Sequence, residues 1–288
     1  MIIVKLKGGL GNQMLQYATG LAVASAQCEE LKLDIIGYDD PRYVNANTPR
    51  QYRMFPFNLS ASIATTNEVE KARNPFGIFS KLLRAFSQRV LKKHYVDYDA
   101  SLFKKKNNYL EGYFQSEKNF INVKSKILKE FTLRKEFQSE VFLLEKNKID
   151  KNRSVSVHIR RGDYVSDATT NSIHGVCSRD YYDQAISLIR TKVDTPIFYF
   201  FSDDIDWVKK EFGERPDFVF VSNPNLEDYE ELMLMSSCAH NIIANSSFSW
   251  WGAYLNQNVG KMVIAPKKWV NTQPDPHPNI VPEGWIRI

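Results

Sequence analysis

Basic and polar side chains follow a predicted buried strand in SVSVHIRRGDY, residues 154–164. Strand side chains point alternately to two faces, so His158 and Arg160 share one face at the carboxyl end of this strand. A guanidinium there can bind a diphosphate through two parallel hydrogen bonds and stays charged. The segment predicts an anion site at Arg160, with an ion pair to a buried carboxylate as the alternative. We expect His158 to hydrogen-bond a nucleotide base or phosphate, and a general base is its alternative.

A serine-containing turn precedes a predicted helix in IIANSSFSWWGAYL, residues 242–255. Asn245 and Ser246 lie in the turn, and Ser247 is the predicted N-cap of a helix that begins at Phe248. The first N–H groups of a helix lack partners within it and attract anions. The turn therefore predicts further phosphate contacts, and simple capping is the alternative.

Two carboxylates follow another apolar strand in YFFSDDIDW, residues 199–207. At a strand end, Asp203 and Asp204 can accept hydrogen bonds from the amino and imino groups of guanine, and we expect this nucleotide contact. Capping of the next helix is one alternative. A metal site is the other, because Asp204 and Asp206 form a D-x-D pair.

A glycine-rich turn follows the first predicted strand in KGGLGNQMLQY, residues 7–17. The turn lacks the Lys-Ser/Thr ending of a P-loop and the third glycine of a dinucleotide fingerprint. Its glycines still allow the backbone to approach a ligand closely. Gly11, Asn12 and Gln13 are therefore predicted to contact substrate, and a tight turn with a helix cap is the alternative.

The elements that must position these segments alternate between strands and helices. The chain opens with a strand at 2–6 and a helix at 14–26. Beyond a boundary placed near Asp150, the apolar periodicity predicts strands at 154–159, 197–201, 218–221, 241–244 and 261–265, with helices at 179–192, 205–212, 226–237 and 248–256. This alternation predicts an α/β protein with parallel sheets in two domains, 1–150 and 151–288, whose ligands lie at the carboxyl ends of the strands.

Composition excludes several classes of protein. The 288 residues are 43% hydrophobic and 25% charged, which predicts a globular chain. A net charge of +5 is too small to indicate nucleic-acid binding by itself. The three cysteines, an odd number without a C-x-x-C, predict neither a disulfide framework nor a zinc site. Without an apolar stretch of about eighteen residues, we expect a cytoplasmic protein.

Six segments together resemble the alpha-1,2-fucosyltransferases of glycosyltransferase family eleven. In family order they are GGLGNQM, LEGYFQSEKNF, HIRRGDY, HGVCSRDYY, FSDD and IIANSSFSWWGAYLN, and they extend from Gly8 to Asn256. The resemblance implies a two-lobed GT-B-type fold with Rossmann-like parallel sheets, an acceptor-side first lobe and a GDP-fucose-binding second lobe. It implies inverting transfer of fucose to the 2-hydroxyl of a terminal beta-galactoside in bacterial surface polysaccharide synthesis, with no metal and no cofactor.

The resemblance also implies roles for individual residues. Arg160 is expected to contact the beta-phosphate of the donor, and His158 to lie beside the nucleotide. Asp204 is expected at the guanine, and Ser246 and Ser247 near the diphosphate. Two rival functions remain: a transferase of the same architecture with another nucleotide sugar, and a non-catalytic carbohydrate- or nucleotide-binding protein.

The general base and a membrane contact are separate expectations. Asp163 and Asp167 lie in the loop after Arg160, where either can accept the acceptor proton. A turn-stabilising or solvated aspartate is the alternative for both. Residues 76–93 combine apolar residues at helical spacing with basic residues, which suits peripheral contact with the inner membrane surface. A surface helix packed on the first lobe is the alternative.

Overall fold

The computed structural model describes residues 1–40, 50–74, 96–104, 108–272, 275 and 277–288, with the side chains of 163, 166 and 168–170 excepted. The predicted basic helix at 76–93 lies outside the described residues. The chain divides into two compact units. One comprises Met1–Phe131 with His277–Ile280, and the other comprises Thr132–Pro276 with Val281–Ile288.

The first unit is built on a four-stranded parallel sheet. Its strands are β1 (Ile2–Lys5), β2 (Leu31–Asp34), β3 (Ser62–Ile63) and β4 (Tyr109–Leu110), in the order β3-β2-β1-β4. Its helices are α1 (Leu10–Ala26), α2 (Thr66–Arg73), α3 (Ser101–Lys104) and α4 (Lys124–Glu130), with 3-10 turns at Ile36–Asp39, Glu117–Asn119 and Ile121–Val123. Helix α1 begins four residues before the predicted start at 14.

Close packing of α1 on the sheet depends on a glycine. A Cβ added at Gly20 would lie 3.0 Å from Val4 of β1 and 3.0 Å from Leu31 of β2. A larger residue at this position would have to push these two side chains aside, so glycine allows the helix to approach both strands closely. This packing places the glycine-rich turn between β1 and α1 at the carboxyl edge of the sheet.

The second unit is built on a six-stranded sheet, again parallel. Its strands are β5 (Ser154–Ile159), β6 (Ile197–Ser202), β7 (Phe218–Phe220), β8 (His240–Ile242), β9 (Val263–Ala265) and β10 (Ile286–Arg287), in the order β10-β9-β8-β5-β6-β7. Its helices are α5 (Glu140–Asp150), α6 (Gly162–Ser166), α7 (Ala168–His174), α8 (Arg179–Arg190), α9 (Ile205–Phe212), α10 (Asp228–Ser237) and α11 (Ser247–Leu255), with a 3-10 turn at Lys135–Phe137.

The side chains of β5 point alternately to the two faces of this sheet, and the two faces differ in their contacts. Val155, Val157 and Ile159 join an apolar core with residues of α8 and α9. On the other face, Asn241 donates to Ser156 Oγ at 2.8 Å and to the Met235 carbonyl of α10 at 2.8 Å. Helices therefore cover both faces, which confirms the predicted α/β fold with parallel sheets.

The division between the units falls at Phe131, earlier than the predicted boundary near Asp150. The intervening helix α5 packs within the second unit. The Ser139 amide that precedes it donates to Glu230 of α10 at 2.7 Å, and Phe137 meets Tyr229 edge to face. These contacts are long-range, which is why the polar composition around Asp150 did not indicate them.

No helix within the described ranges combines the length and the apolar character needed to cross a membrane.

Candidate active site

The carboxyl edge of the second sheet brings together the basic segment at 154–164 and the acidic segment at 199–207. In the parallel register of β5 and β6, Ile159 lies opposite Ser202. Arg160 and Asp203 therefore leave their strands side by side. Their side chains form an ion pair, with 2.8 Å between Arg160 Nη1 and Asp203 Oδ2.

The Asp203 carboxylate holds the start of the arginine loop. Its Oδ1 accepts from the Arg161 amide at 2.9 Å. A Cβ added at Gly162 would lie 2.5 Å from Asp203 Oδ2, so a larger residue here would require the carboxylate or the loop to shift. Arg160 therefore does form an ion pair, but its partner Asp203 is an exposed residue and not the buried carboxylate of the alternative. A guanidinium has five N–H donors, so this pairing is compatible with binding a second anion.

Asp204 occupies a different position from Asp203. Its Oδ1 accepts from the Trp207 amide at 3.4 Å and caps α9, as the capping alternative predicted. Its Oδ2 accepts from Arg161 Nε at 3.1 Å, and the Arg161 guanidinium stacks 3.6 Å above the Trp207 ring. Asp206 is exposed and faces Lys209 at 3.6 Å. Within the part of the chain that the structure describes, no cluster of three or more His, Cys, Asp or Glu residues is arranged to hold a metal.

His158 lies buried beneath the first turn of α11. Its ring centroid is 5.5 Å from that of Phe248. Burial, followed by the nearby positive charge of Arg160, lowers the pKa of His158 to about 3, so the imidazole is neutral near pH 7. Its Nδ1 is buried without a hydrogen-bond partner among the described residues. A neutral ring with an unsatisfied nitrogen is suited to hydrogen-bond a ligand and poorly suited to act as a base.

The serine turn is shifted by one residue from its prediction. Ser246 is the N-cap and accepts from the Phe248 amide at 3.3 Å, and α11 begins at Ser247. Ser246 has extended backbone angles (φ −136°, ψ 129°), which an N-cap requires. Ser247 and Phe248 are half-buried in the first turn of the helix.

Asn245 connects the turn to neighbouring loops. Its Nδ2 donates to the carbonyls of His174 at 2.9 Å and Trp269 at 3.1 Å. Its own carbonyl accepts from the Tyr164 hydroxyl at 3.4 Å, and the Arg160 guanidinium lies 5.5 Å from the Tyr164 ring. Tyr164 thus links Arg160 to the turn at 245–248, so the two predicted halves of the anion site lie at the same sheet edge.

The two candidate bases, Asp163 and Asp167, lie in the segment that connects β5 to α8. The structure places Asp163 in α6, but its side chain is outside the described part. Asp167 is half-buried between α6 and α7, and its carbonyl accepts from the Asn171 amide at 2.9 Å. Both assignments stay predictions.

Sequence reasoning missed Glu231 of α10. Burial raises the pKa of its carboxyl to about 7, helped by the charges of Asp228 and Asp203 and opposed by a hydrogen bond with Ser222. Ser222 also accepts from the Ser202 amide at the end of β6, at 2.9 Å. Glu231 therefore belongs to the same sheet edge. It lies in the acidic run EDYEE, which reads as an ordinary solvated helix start.

In the first unit, the glycine-rich turn is held by its own side chains. Gln13 is buried, donates to the Gly8 and Gln51 carbonyls at 3.0 and 2.7 Å, and accepts from the Arg53 amide at 2.9 Å. Gly11 is buried within α1, whereas Asn12 is half-buried and accepts from Gln115 at 3.1 Å. Of the three predicted contacts here, Asn12 is the one that remains accessible.

Comparison with known proteins agrees with this architecture. The model of the family Glycosyl transferase family 11 matches residues 1–288. The chain is 34% identical to an alpha-1,2-colitosyltransferase of Escherichia coli, over 100% of this chain and 99% of that protein. It is 28% identical to the galactoside 2-alpha-L-fucosyltransferase Sec1 of Mus musculus, over 88% of this chain and 64% of that protein.

A crystal structure of NodZ alpha-1,6-fucosyltransferase co-crystallized with GDP has a similar fold. The TM-score is 0.50 at 13% identity, over 87% of this chain and 90% of that one. This similarity confirms the predicted GT-B-type fold.

Proposed function

Because this chain belongs to glycosyltransferase family 11, we propose that it transfers fucose from GDP-fucose, with inversion, to the 2-hydroxyl of a terminal beta-galactoside. The observation that supports this most directly is the shared sheet edge of the second unit. There Arg160, the buried neutral His158 and the N-terminus of α11 lie together. This combination suits a nucleoside diphosphate, which carries both negative charge and a polar base.

The reaction needs stabilisation of the departing GDP. As the bond from fucose to the diphosphate breaks, the acceptor hydroxyl attacks the opposite face of the sugar, and negative charge builds on GDP. Catalysis is strongest where this charge develops. Arg160 and the first N–H groups of α11 supply positive potential there, and Asp203 orients the guanidinium. A single displacement of this kind needs no covalent intermediate, and we expect neither a metal nor a cofactor.

The nucleotide base and the proton have separate partners in this proposal. His158 is the proposed neighbour of the nucleotide, and its imidazole is neutral near pH 7. Asp204 is the proposed guanine contact, at a position where its carboxylate already accepts from Arg161 and Trp207. The acceptor proton passes to Asp163 or Asp167, directly or through water.

A colitose donor is the second candidate. It is favoured by the 34% identity to an alpha-1,2-colitosyltransferase over the whole chain. Colitose is fucose without its 3-hydroxyl, so the two donors differ by one polar group. Selection between them depends on whether the site hydrogen-bonds that hydroxyl.

Mass spectrometry of the products tests both candidates. The protein is incubated with GDP-fucose or GDP-colitose and a panel of beta-galactosides, with and without EDTA. We expect a product heavier by one fucose residue, a 1,2 linkage on linkage analysis, and the same yield with EDTA. If a product forms with GDP-colitose and not with GDP-fucose, the donated sugar is colitose. Binding of acceptor with no product from either donor would indicate a carbohydrate-binding protein.

A further inference from the structure

Lys7, a half-buried lysine just beyond the carboxyl end of β1, forms no ion pair with any described residue. Its ammonium has no hydrogen-bond acceptor among those residues either, and it lies 4.3 Å from the centroid of the Tyr113 ring. Two residues earlier on the same strand face, Lys5 pairs with Glu111 at 2.9 Å. The two lysines therefore differ, because Lys5 forms an ion pair and Lys7 forms none with a described residue.

The neighbouring carboxylate is already shared. Glu111 pairs with Lys5 and also lies 3.7 Å from Arg73. Burial is the largest influence on Lys7 and lowers the pKa of its ammonium. The negative charge of Glu111 opposes this shift, and the positive charge of Lys5 adds to it. A cation that is partly withdrawn from water and poorly compensated by its own fold is an attractive site for an external anion.

The backbone holds this lysine in a fixed place. The buried Gln16 side chain accepts from the Lys7 amide at 2.9 Å and donates to the Lys7 carbonyl at 3.3 Å. The same Gln16 amide donates to the Gly112 carbonyl at 3.2 Å, which fixes the segment that carries Tyr113. Lysine and tyrosine are thus positioned together by one glutamine of α1. A pre-organised cation over an aromatic ring loses little entropy when it binds a ligand.

We propose that Lys7 binds an oxyanion carried by the acceptor glycan, either the carboxylate of an acidic sugar or a phosphate. The subsite lies at the carboxyl edge of the first sheet, where ligands of parallel sheets bind. Tyr113, which is 36% exposed, is a platform for the adjoining sugar ring. This inference rests on the proposed function, since it assigns the first unit to the acceptor.

The test compares three matched acceptors: a neutral beta-galactoside, the same glycan with a glucuronic acid next to the galactose, and the same glycan with a phosphate at its reducing end. Steady-state kinetics are measured for the wild type, Lys7→Met and the control Lys71→Met, an exposed lysine of α2. We expect Lys7→Met to raise KM about tenfold for one charged acceptor, the value of a charge-assisted hydrogen bond. The KM of Lys7→Met for the neutral acceptor and for GDP-fucose should match that of Lys71→Met. The charged acceptor whose KM rises shows whether the bound anion is a carboxylate or a phosphate.

Several results would overturn the proposal. An equal effect of Lys7→Met on the neutral and charged acceptors would show a general loss of fit. A raised KM for GDP-fucose would place the ammonium at the donor. If no acceptor is glycosylated, the proposed function fails. Calorimetric titration of the charged and neutral glycans still tests the Lys7 subsite in that case. Equal affinity of the wild type and Lys7→Met for the charged glycans would then reject the subsite.

Discussion

At the scale of single residues, the chemistry depends on how one guanidinium is oriented. Arg160 Nη1 lies 2.8 Å from Asp203 Oδ2, and the guanidinium lies beside the Tyr164 ring. His158 on the same edge is neutral because its surroundings exclude water and Arg160 is positive. The edge thus combines a permanent positive charge with an uncharged hydrogen-bonding ring, as a phosphate and a base require.

We expect Arg160→Ala to lower kcat at least a hundredfold, since one preorganised charge-stabilising donor contributes on that order. Arg160→Lys should also lose most activity, because an ammonium cannot reproduce the planar fork that binds both Asp203 and a phosphate. The matched control is Arg190→Lys, which alters the ion pair of Arg190 with Asp217 on an exposed face. Initial rates with GDP-fucose measure these losses. Near-normal turnover by Arg160→Lys would contradict the role of Arg160 in stabilising the departing diphosphate.

At the scale of elements, the loop between β5 and α8 is shaped by its contact with β6. Gly162→Ala places a methyl group 2.5 Å from Asp203 Oδ2, so either the carboxylate or the loop must move. We expect a fall in kcat of about tenfold or more, because a displacement near 1 Å disturbs catalytic geometry. Gly284→Ala is the control, since its added Cβ meets nothing within 4 Å. Unchanged kinetics in Gly162→Ala would show that Asp203 does not position Arg160.

Ser246, the N-cap of α11, is expected to contribute both to protein stability and to donor binding. Ser246→Ala removes the acceptor for the Phe248 amide and should destabilise the protein by about 1 kcal/mol. Ser139→Ala removes the equivalent cap of α5, where Ser139 accepts from Phe142 at 3.1 Å. Thermal unfolding should show similar losses in the two variants, whereas KM for GDP-fucose should rise in Ser246→Ala alone. A rise of equal size in both would mean that the cap acts through stability only.

At the scale of the whole molecule, the half-buried acid Glu231 makes the free energy of unfolding depend on pH. Its carboxyl has a pKa of about 7 in the folded protein against 4.5 for the ordinary group. Below pH 4.5 both states are protonated. As pH rises from 4.5 through 7, the unfolded state releases its proton first, so this contribution to stability is progressively lost. His158 has the opposite sign, because its pKa of about 3 lies below 6.5, and its contribution is lost as pH falls through that window.

Glu231→Gln should therefore be more stable than the wild type at pH 8 and close to it at pH 4. Denaturant unfolding at both pH values measures the difference. The exposed Glu283→Gln serves as control and should show the same offset at each pH. A Glu231→Gln variant whose difference from the wild type is independent of pH would show that this carboxyl ionises normally in the folded state.

Much of the fold was accessible from local pattern. Apolar periodicity located β5 to β9 of the second unit but missed the two-residue strand β10. The order strand, turn, helix placed Arg160, Asp203 and Ser246 at strand ends. The sequence did not predict β3 or α2, because short, exposed elements have weak periodicity. Side chains predicted to bind ligand were harder to assign. Gln13 and Asn245 have the chemistry of ligand contacts, yet their amides hold loops together.

By itself, the sequence determined the α/β class, the strand-end location of the basic, acidic and serine segments, and the membership in a glycosyltransferase family. These follow from periodicities and motifs that lie within a few neighbouring residues. Only the tertiary structure decided that Arg160 pairs with Asp203, that Glu231 lies half-buried at the same edge, and that Lys7 forms no ion pair with a described residue. Such pairings depend on strand order and register, which join residues far apart in the chain and leave no local pattern.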